Sequence, residues 1–342
     1  MLNKEIKEES IEKVKSYILN HDKFLIIGHI SPDGDALGSC LALCHLLINM
    51  GKSARVIVPN VFPAFFKWMP RAESILQYDI HKTSAERIVD EAEVIFSLDF
   101  NALKRAGELG DVVGKSKALK VMIDHHLAPE SYADVTISVS KMSSTAELFY
   151  HVIVRMGFED KINKEIATCI YAGMMTDTGG FTYNSNRRDI YLTIGNLLLT
   201  GIDKDEIYRK VNNNYSVSRM MLEGFVLNQK LRVWPLLNAS LISVTREELK
   251  QYNYVSGDSE GFVNRPLQIS NMRLSCFLRE DKDMVKVSLR SVGDFPCNEM
   301  AAKFFNGGGH KNASGGEFYG TMEEAVAQYE KAINTFKKLL IY

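Results

Sequence analysis

Apolar and polar positions along the chain change period several times, and each change marks an element. "FLIIGH" (24–29) is an unbroken apolar run ending in His29, as expected for a strand buried on both faces. "ALGSCLALCHLLINM" (36–50) then repeats its apolar residues at helical spacing, and Gly51 stands where a helix would stop. "ARVIVP", "EVIFSLD", "ALKVMID" and "VTISV" read as four further strands, mostly separated by enough chain for a crossover helix. This alternation predicts an α/β fold, a doubly wound parallel sheet. "SSTAELFYHVIVRMG" opens with a capping-box signal from Ser144 to Glu147, and "NKEIATCIYAGMMTDTGGF" is an apolar helix that breaks in a Gly-rich turn. A further helical stretch, "RRDIYLTIGNLLLTG", leads into a more polar helical run.

From about residue 234 the texture changes. "ASLISVT", "RLSCFLRE" and "DMVKVSLRS" read as strands, the last two joined by a tight Asp281-Lys282-Asp283 turn. The helical segments "NEMAAKFF" and "MEEAVAQYEKAINTFKKLL" flank the run "NGGGHKNASGG", which completes a smaller α+β domain. The expected division is a first domain at 1–200, a helical connector at 201–230 and a second domain at 231–342.

Composition adds exclusions. A net charge of −1 argues against coating a long nucleic acid by charge alone and fits a short anionic ligand. Five cysteines are scattered without CxxC pairing, four of them inside apolar runs. The charged, helically spaced opening is unlike a signal peptide, and no apolar run approaches the length of a membrane span. A cytoplasmic, reducing location is the expectation.

The candidate chemistry lies at the ends of apolar elements. His29, Asp33 and Asp35 follow the first strand, and Asp99 closes another. Asp124, His125 and His126 close a third, and Asp177 stands where an apolar helix breaks. Taken singly, Asp33 or Asp99 would be read as a helix N-cap. Together they form a pattern, because loops at the carboxyl ends of strands in an open α/β sheet converge on one crevice. Several carboxylates there require a strong counter-charge, which divalent cations supply. Mixed carboxylate and imidazole donors suit Mn²⁺, Fe²⁺ or Co²⁺ better than an all-oxygen Mg²⁺ site. The number of donors is enough for two ions, the arrangement used in phosphoester hydrolysis.

In order, "HISPDGDALGS", "SLDF", "VMIDHH" and "TDTGGF" resemble the four motifs of the DHH phosphoesterases, and "NGGGHKNASGG" is similar to the GGGH signature of the DHHA1 domain. The compact two-domain layout resembles the bacterial oligoribonuclease (nanoRNase) and pAp-phosphatase subfamily. The resemblance implies that His29 and Asp33 hold one metal, and that Asp35, His125 and Asp177 hold the other. It makes Asp99 their bridge, sets His126 facing the substrate phosphate, and has Asp124 orienting the histidines. The ion implied is Mn²⁺, with Mg²⁺ or Co²⁺ as substitutes. In the second domain it implies substrate binding by Arg290, Gly307, Gly308, Gly309 and His310. Asn306, Val292 and Thr182 depart from the pattern, where relatives often carry Gly, Lys and Arg. Arg187 and Arg188 lie near Thr182 and could compensate, although a solvated helix face is the simpler role.

The implied function is hydrolysis of short oligoribonucleotides and of 3′-phosphoadenosine 5′-phosphate, with the second domain gripping one end of the substrate. Cleavage of cyclic or linear dinucleotides is the alternative, and a decayed nucleotide-binding module would have lost at least one of these ligands. An inorganic pyrophosphatase would share the first four motifs but have a different second domain, and the GGGH run counts against it. Dimers are common for such folds, which leaves a homodimer open. In "VFPAFFKWMPR", aromatics beside Lys67 and Arg71 could stack on bases, but a packed connector is the favoured reading.

Overall fold

The computed structural model describes residues 5–213 and 215–341, and the chain divides into two compact units at 214/215. The first unit runs α1 (Glu8–Asn20), β1 (Lys23–Ile27), α2 (Gly34–Asn49), β2 (Ser53–Val58), β3 (Leu76–Gln77), α3 (Lys82–Glu91) and β4 (Val94–Leu98). It continues through α4 (Gly107–Lys115), β5 (Leu119–Asp124), β6 (Val135–Ser138), α5 (Thr145–Arg155), α6 (Lys164–Asp177), α7 (Arg188–Leu198) and α8 (Lys204–Asn212). Its strands form one parallel sheet in the order β3-β2-β1-β4-β5-β6.

Both faces of this sheet are covered, which is why its strands read as unbroken apolar runs. Alternate residues of β1 serve opposite cores: Phe24 and Ile26 join the cluster under α2, α5 and α6, while Leu25 and Ile27 join the one under α3 and α4. The strand order reverses between β1 and β4. A crevice opens there, outside the carboxyl ends of the two strands.

Close helix packing narrows that crevice. A Cβ on Gly38 would stand 2.5 Å from the Cys169 carbonyl oxygen, and one on Gly173 would stand 2.7 Å from Ala146 Cβ and 3.0 Å from Asp35 Oδ1. The missing side chains let α2 and α6 cross almost backbone to backbone, so Asp35 at the start of α2 comes close to the end of α6. The connector "VFPAFFKWMPR" is packed as expected, with Phe62, Phe66 and Met69 buried in the core of this unit. All five cysteines are free and buried.

The second unit contains α9 (Val217–Phe225), β7 (Leu231–Trp234), β8 (Ala239–Val244), α10 (Arg246–Gln251), β9 (Leu274–Glu280) and β10 (Val285–Ser291). It ends with α11 (Cys297–Phe304), β11 (Gly308–His310), β12 (Ala313–Phe318), α12 (Met322–Thr335) and α13 (Lys337–Ile341). The sheet order is β11-β12-β10-β9-β8-β7, with β8 and β9 parallel and the other pairs antiparallel. Asp281 N donates to Met284 O at 2.8 Å and closes the expected turn between β9 and β10. The Gly-rich run is not an open loop: it forms the β11–β12 hairpin. Glycines hide a strand from a reading based on alternating side chains. Residues 201–230 fall into both units, with α8 in the first and α9 in the second. Among the described residues, no helix is long and apolar enough to cross a membrane.

Two glycine substitutions should separate packing from propensity. Gly38→Ala forces a methyl against a backbone carbonyl and should cost about 1–3 kcal/mol. Gly195→Ala, in the exposed middle of α7 with nothing within 4 Å of its Cβ, should stabilise by about 0.5–1 kcal/mol. Urea denaturation midpoints of the two variants should therefore shift in opposite directions.

Candidate metal centre

The centre is built at the β1–β4 switch point. His29 follows β1, and its Nδ1 donates to the Ile30 carbonyl at 2.8 Å. A carbonyl only accepts, so Nδ1 carries the proton and the Nε2 lone pair is turned into the crevice. His29 Nε2 is buried without a hydrogen-bond partner, 3.5 Å from Asp99 Oδ2 and 3.8 Å from Asp33 Oδ2. His125 repeats the device after β5. Its Nδ1 bonds the Met142 carbonyl at 3.2 Å, while Nε2 lies 3.6 Å from Asp99 Oδ1, 3.9 Å from Asp35 Oδ2 and 3.4 Å from Asp177 Oδ2.

The carboxylates divide their work oxygen by oxygen. Asp33 is the N-cap of α2 and also part of the crevice. Its Oδ1 accepts from the amides of Asp35 and Ala36 at 3.0 and 3.1 Å, and its Oδ2 faces His29. Asp99 caps no helix. It has a left-handed backbone, φ 66°, which is costly for a non-glycine residue and typical of functional sites. One of its oxygens faces His29 and the other faces His125. Asp124, fully buried at the end of β5, accepts from His126 N at 2.9 Å and from His126 Nδ1 at 2.7 Å. Asp124 thus orients His126, whereas the hydrogen bond at His125 Nδ1 goes to the Met142 carbonyl. The resemblance had assigned both histidines to Asp124.

Among the described residues the donors fall into several groups, two of which are His29 with Asp33 and Asp99, and Asp35 with His125 and Asp177, while Asp99 also groups with Asp124 and His126. Within each group the donor atoms lie within 4.8 Å of one another. The exposed edge is at Asp33 and Asp177, whose side chains are 53% and 29% accessible, against 2% or less for Asp35 and Asp99. The fit to divalent cations follows from the orphaned His29 Nε2 and from the crowding of buried carboxylates around two inward-facing imidazoles.

Electrostatics point the same way. Burial, then the Asp99, Asp177 and Asp33 carboxylates, hold Asp35 well above the usual range. Burial pushes Asp177 up to about 7, with Asp33 and Asp99 adding and His125 opposing. Burial also works against Asp99, but the His29 contact and the neighbouring imidazoles outweigh it and hold Asp99 low. For His29, burial favours the neutral ring, yet Asp99 and Asp33 win and raise its pKa. For His125, burial is likewise overcome, by Asp177, Asp99 and Asp124. Burial, then Asp99 and Asp35, push the nearby Cys40 thiol up, so it stays a neutral packing group.

In the second unit, Arg290 on β10 and His310 on β11 both pair with Ala313 of β12, from opposite sides. Directly paired residues share a sheet face, so the two side chains stand on one face across a small alanine. Arg290 Nη1 donates to the Leu289 carbonyl at 3.0 Å, and the His310 carbonyl accepts from Ser314 Oγ at 2.8 Å. Gly307 and Gly309 owe their identity to packing. A Cβ on Gly307 would meet Gly315 O at 2.0 Å, and Gly309 has φ 137° with Ala313 O 2.7 Å from its would-be Cβ. Gly308 alone of the three faces open space.

Two expectations need correction. Arg187 is half-buried and not on a solvated helix face: its Nη2 pairs with the buried Glu147 carboxylate at 2.6 Å. The capping box at Ser144 is half formed: Ser144 Oγ accepts from Glu147 N at 3.0 Å, but Glu147 bonds Ser143 instead of its N-cap. The sequence reading also missed Thr145 and Ala146, whose polar groups reach Asp35 and Asp99. The capping signal that marked this helix start was also a pointer to an anion-binding end.

Residues 23–174 match the DHH family N-terminal domain, and residues 240–340 match the DHHA1 domain. The chain belongs to the DHH phosphoesterase family. Among relatives of this DHH protein, a crystal structure of an exopolyphosphatase-related protein from Bacteroides fragilis is 56% identical, with TM-score 0.95 over 98% of this chain and 99% of that one. The bifunctional oligoribonuclease and PAP phosphatase NrnA of Thermus thermophilus is 27% identical over 92% of this chain and 89% of its own length. RecJ from Thermus thermophilus, solved in complex with Mn²⁺, shares the fold at 12% identity and TM-score 0.52, over 97% of this chain and 55% of that one.

The pH behaviour of the metal-free protein should follow from the carboxyl and imidazole shifts. Asp35, Asp177, His29 and His125 all bind protons more tightly folded than unfolded. Their stabilisation is present at low pH and is lost as pH rises through the folded values, about 7 for Asp177. Asp99 has the opposite sign, and its contribution is lost only in acid. The metal-free melting temperature should therefore fall between about pH 4 and pH 7, where folded Asp177 holds a proton that the unfolded chain has lost. A divalent cation takes the place of those protons, so its affinity should rise over the same window with proton release, measurable by calorimetry in buffers of different ionisation enthalpy.

Proposed function

We propose that this DHH phosphoesterase is a two-metal, Mn²⁺-dependent enzyme that hydrolyses short oligoribonucleotides to mononucleotides and converts 3′-phosphoadenosine 5′-phosphate to AMP. The observation that carries the reading is Asp99, a buried carboxylate with one oxygen toward each of two inward-facing histidines. His29 and Asp33 would hold one ion, and Asp35, His125 and Asp177 the other. When bound, the two ions supply charge that neutralises the phosphate and activates the attacking water.

The chain's own groups supply position and proton control. Asp99 would set the spacing of the two cations, and its strained backbone fixes where its carboxylate sits. His126, its Nδ1 tethered to Asp124, would meet the phosphate with the other ring nitrogen. In the second unit, Arg290 and His310 would hold a phosphate across Ala313, with Gly308 open to close approach of the substrate backbone. The name of the Thermus thermophilus relative and the Mn²⁺ bound to RecJ support substrate and ion, and near-neutral net charge suits a short substrate. Five free, buried thiols suit a cytoplasmic enzyme.

The test is a Mn²⁺-dependent hydrolysis panel. It should contain a labelled RNA dinucleotide and pentamer, a longer RNA, 3′-phosphoadenosine 5′-phosphate, linear and cyclic dinucleotides, pyrophosphate and polyphosphate. Turnover should favour the shortest RNAs and the bisphosphate. Preference for cyclic dinucleotides or polyphosphate would overturn the substrate assignment, and no turnover by metal-loaded protein would leave a binding module. Asp99→Ala should lower kcat by about 1000-fold or more, since shared metal chemistry is worth several kcal/mol, while the far-UV spectrum stays that of the parent.

A further inference from the structure

The centre rests on a turn that the mechanism above does not use. At the start of α5, Thr145 N donates to Asp35 Oδ2 at 2.6 Å and Ala146 N donates to Asp35 Oδ1 at 2.8 Å. The Thr145 hydroxyl donates to Asp99 Oδ1 at 2.8 Å. A hydroxyl has one proton, and here it is spent on the oxygen that also faces His125. Thr145, Ala146, Asp35 and Asp99 are all buried, so no water competes for these bonds.

A second layer holds the turn. The Glu147 side chain is fully buried and accepts from Ser143 N and Ser143 Oγ, both at 2.7 Å, while pairing with Arg187. Ser144 Oγ closes the N-cap through Glu147 N. Burial disfavours the Glu147 anion, but His151, Arg187 and Ser143 outweigh it and keep the carboxyl below its ordinary range. A buried ion pair is an expensive way to stabilise a helix end that an apolar pair could secure. Its effect is to fix the Ser143–Thr145 backbone, and with it the donors aimed at Asp35 and Asp99.

We propose that the first turn of α5 is the positioning element of the metal centre, with the Thr145 hydroxyl setting the orientation of Asp99 and the Glu147–Arg187 pair holding the turn in place. This rests on the two-metal reading of the site. Thr145 touches neither substrate nor ion in this account. It acts through Asp99, as groups bonded to metal ligands commonly do, with losses of about 10–100-fold in metal affinity when removed.

The test is a Mn²⁺ titration of the full-length protein by calorimetry, alongside its metal-free melting temperature. Thr145→Val removes the hydroxyl and keeps the branched shape, and its Mn²⁺ affinity should fall about 10–100-fold. Thr145→Ser restores the hydroxyl and should return to within a few-fold of the parent. A turn that merely stabilises the fold would lower the melting temperature and leave Mn²⁺ affinity alone, and that result overturns the proposal. Thr145→Ala, which needs no new packing, gives the same reading if Thr145→Val does not fold. If the parent protein binds no Mn²⁺, the two-metal reading fails and takes this proposal with it. Equal affinity in parent and variant sinks the proposal alone.

Discussion

Mutual repulsion among buried carboxylates governs this molecule. Asp35 and Asp99 are almost wholly enclosed, with Asp33 and Asp177 at the rim of the same crevice. Four such charges cannot persist together in a low-dielectric pocket without positive partners. Each feature around them reduces that cost. Two amides meet Asp35, three imidazoles and a hydroxyl meet Asp99, and two amides meet one oxygen of Asp33. The shifts at Asp35 and Asp177 show what remains uncompensated, which is the charge a cation would supply.

The scaffold is arranged to tolerate that repulsion. Parallel strands buried on both faces give the crevice a rigid floor, and their order sets β1 beside β4. Glycine contacts between α2 and α6 bring the start of one helix against the end of the other. The first turn of α5 then closes one side with main-chain dipoles, where a helix N-terminus carries partial positive charge. Helix packing and site electrostatics are therefore one problem: moving α5 or α6 by an ångström would change both.

The second unit solves a different problem. Its sheet has one face on α11 and α12, and its other face is partly covered, where Ile242 and Phe277 pack with Leu222, Val226 and Phe262; that second face also carries Arg290 and His310. Glycines at 307 and 316 let the chain before β11, β12 and the end of α11 press together. The same glycine run thus serves packing at Gly307 and Gly309 and leaves accessible backbone at Gly308.

Five of the six strands of the first unit (the two-residue β3 is the exception), the helix starts at Asp33 and Ser144, and six metal-ligand candidates were legible in the amino-acid order. Each depends on local chemistry: an apolar run, a capping side chain, an acid or a histidine at the end of an element. The family motifs are the same residues seen as a set. What the order of residues did not contain is which atoms meet across 100 residues of chain. Thr145 and Asp35 are 110 apart, and Arg187 and Glu147 are 40 apart. Their pairing depends on how closely α2, α5 and α6 pack. For the same reason Arg187 reads as a surface charge until α7 is docked, and the GGGH run reads as a loop until β12 pairs with it. Local sequence determined which groups would be present and at which end of the sheet. Tertiary packing decided which oxygen of each carboxylate faces which proton.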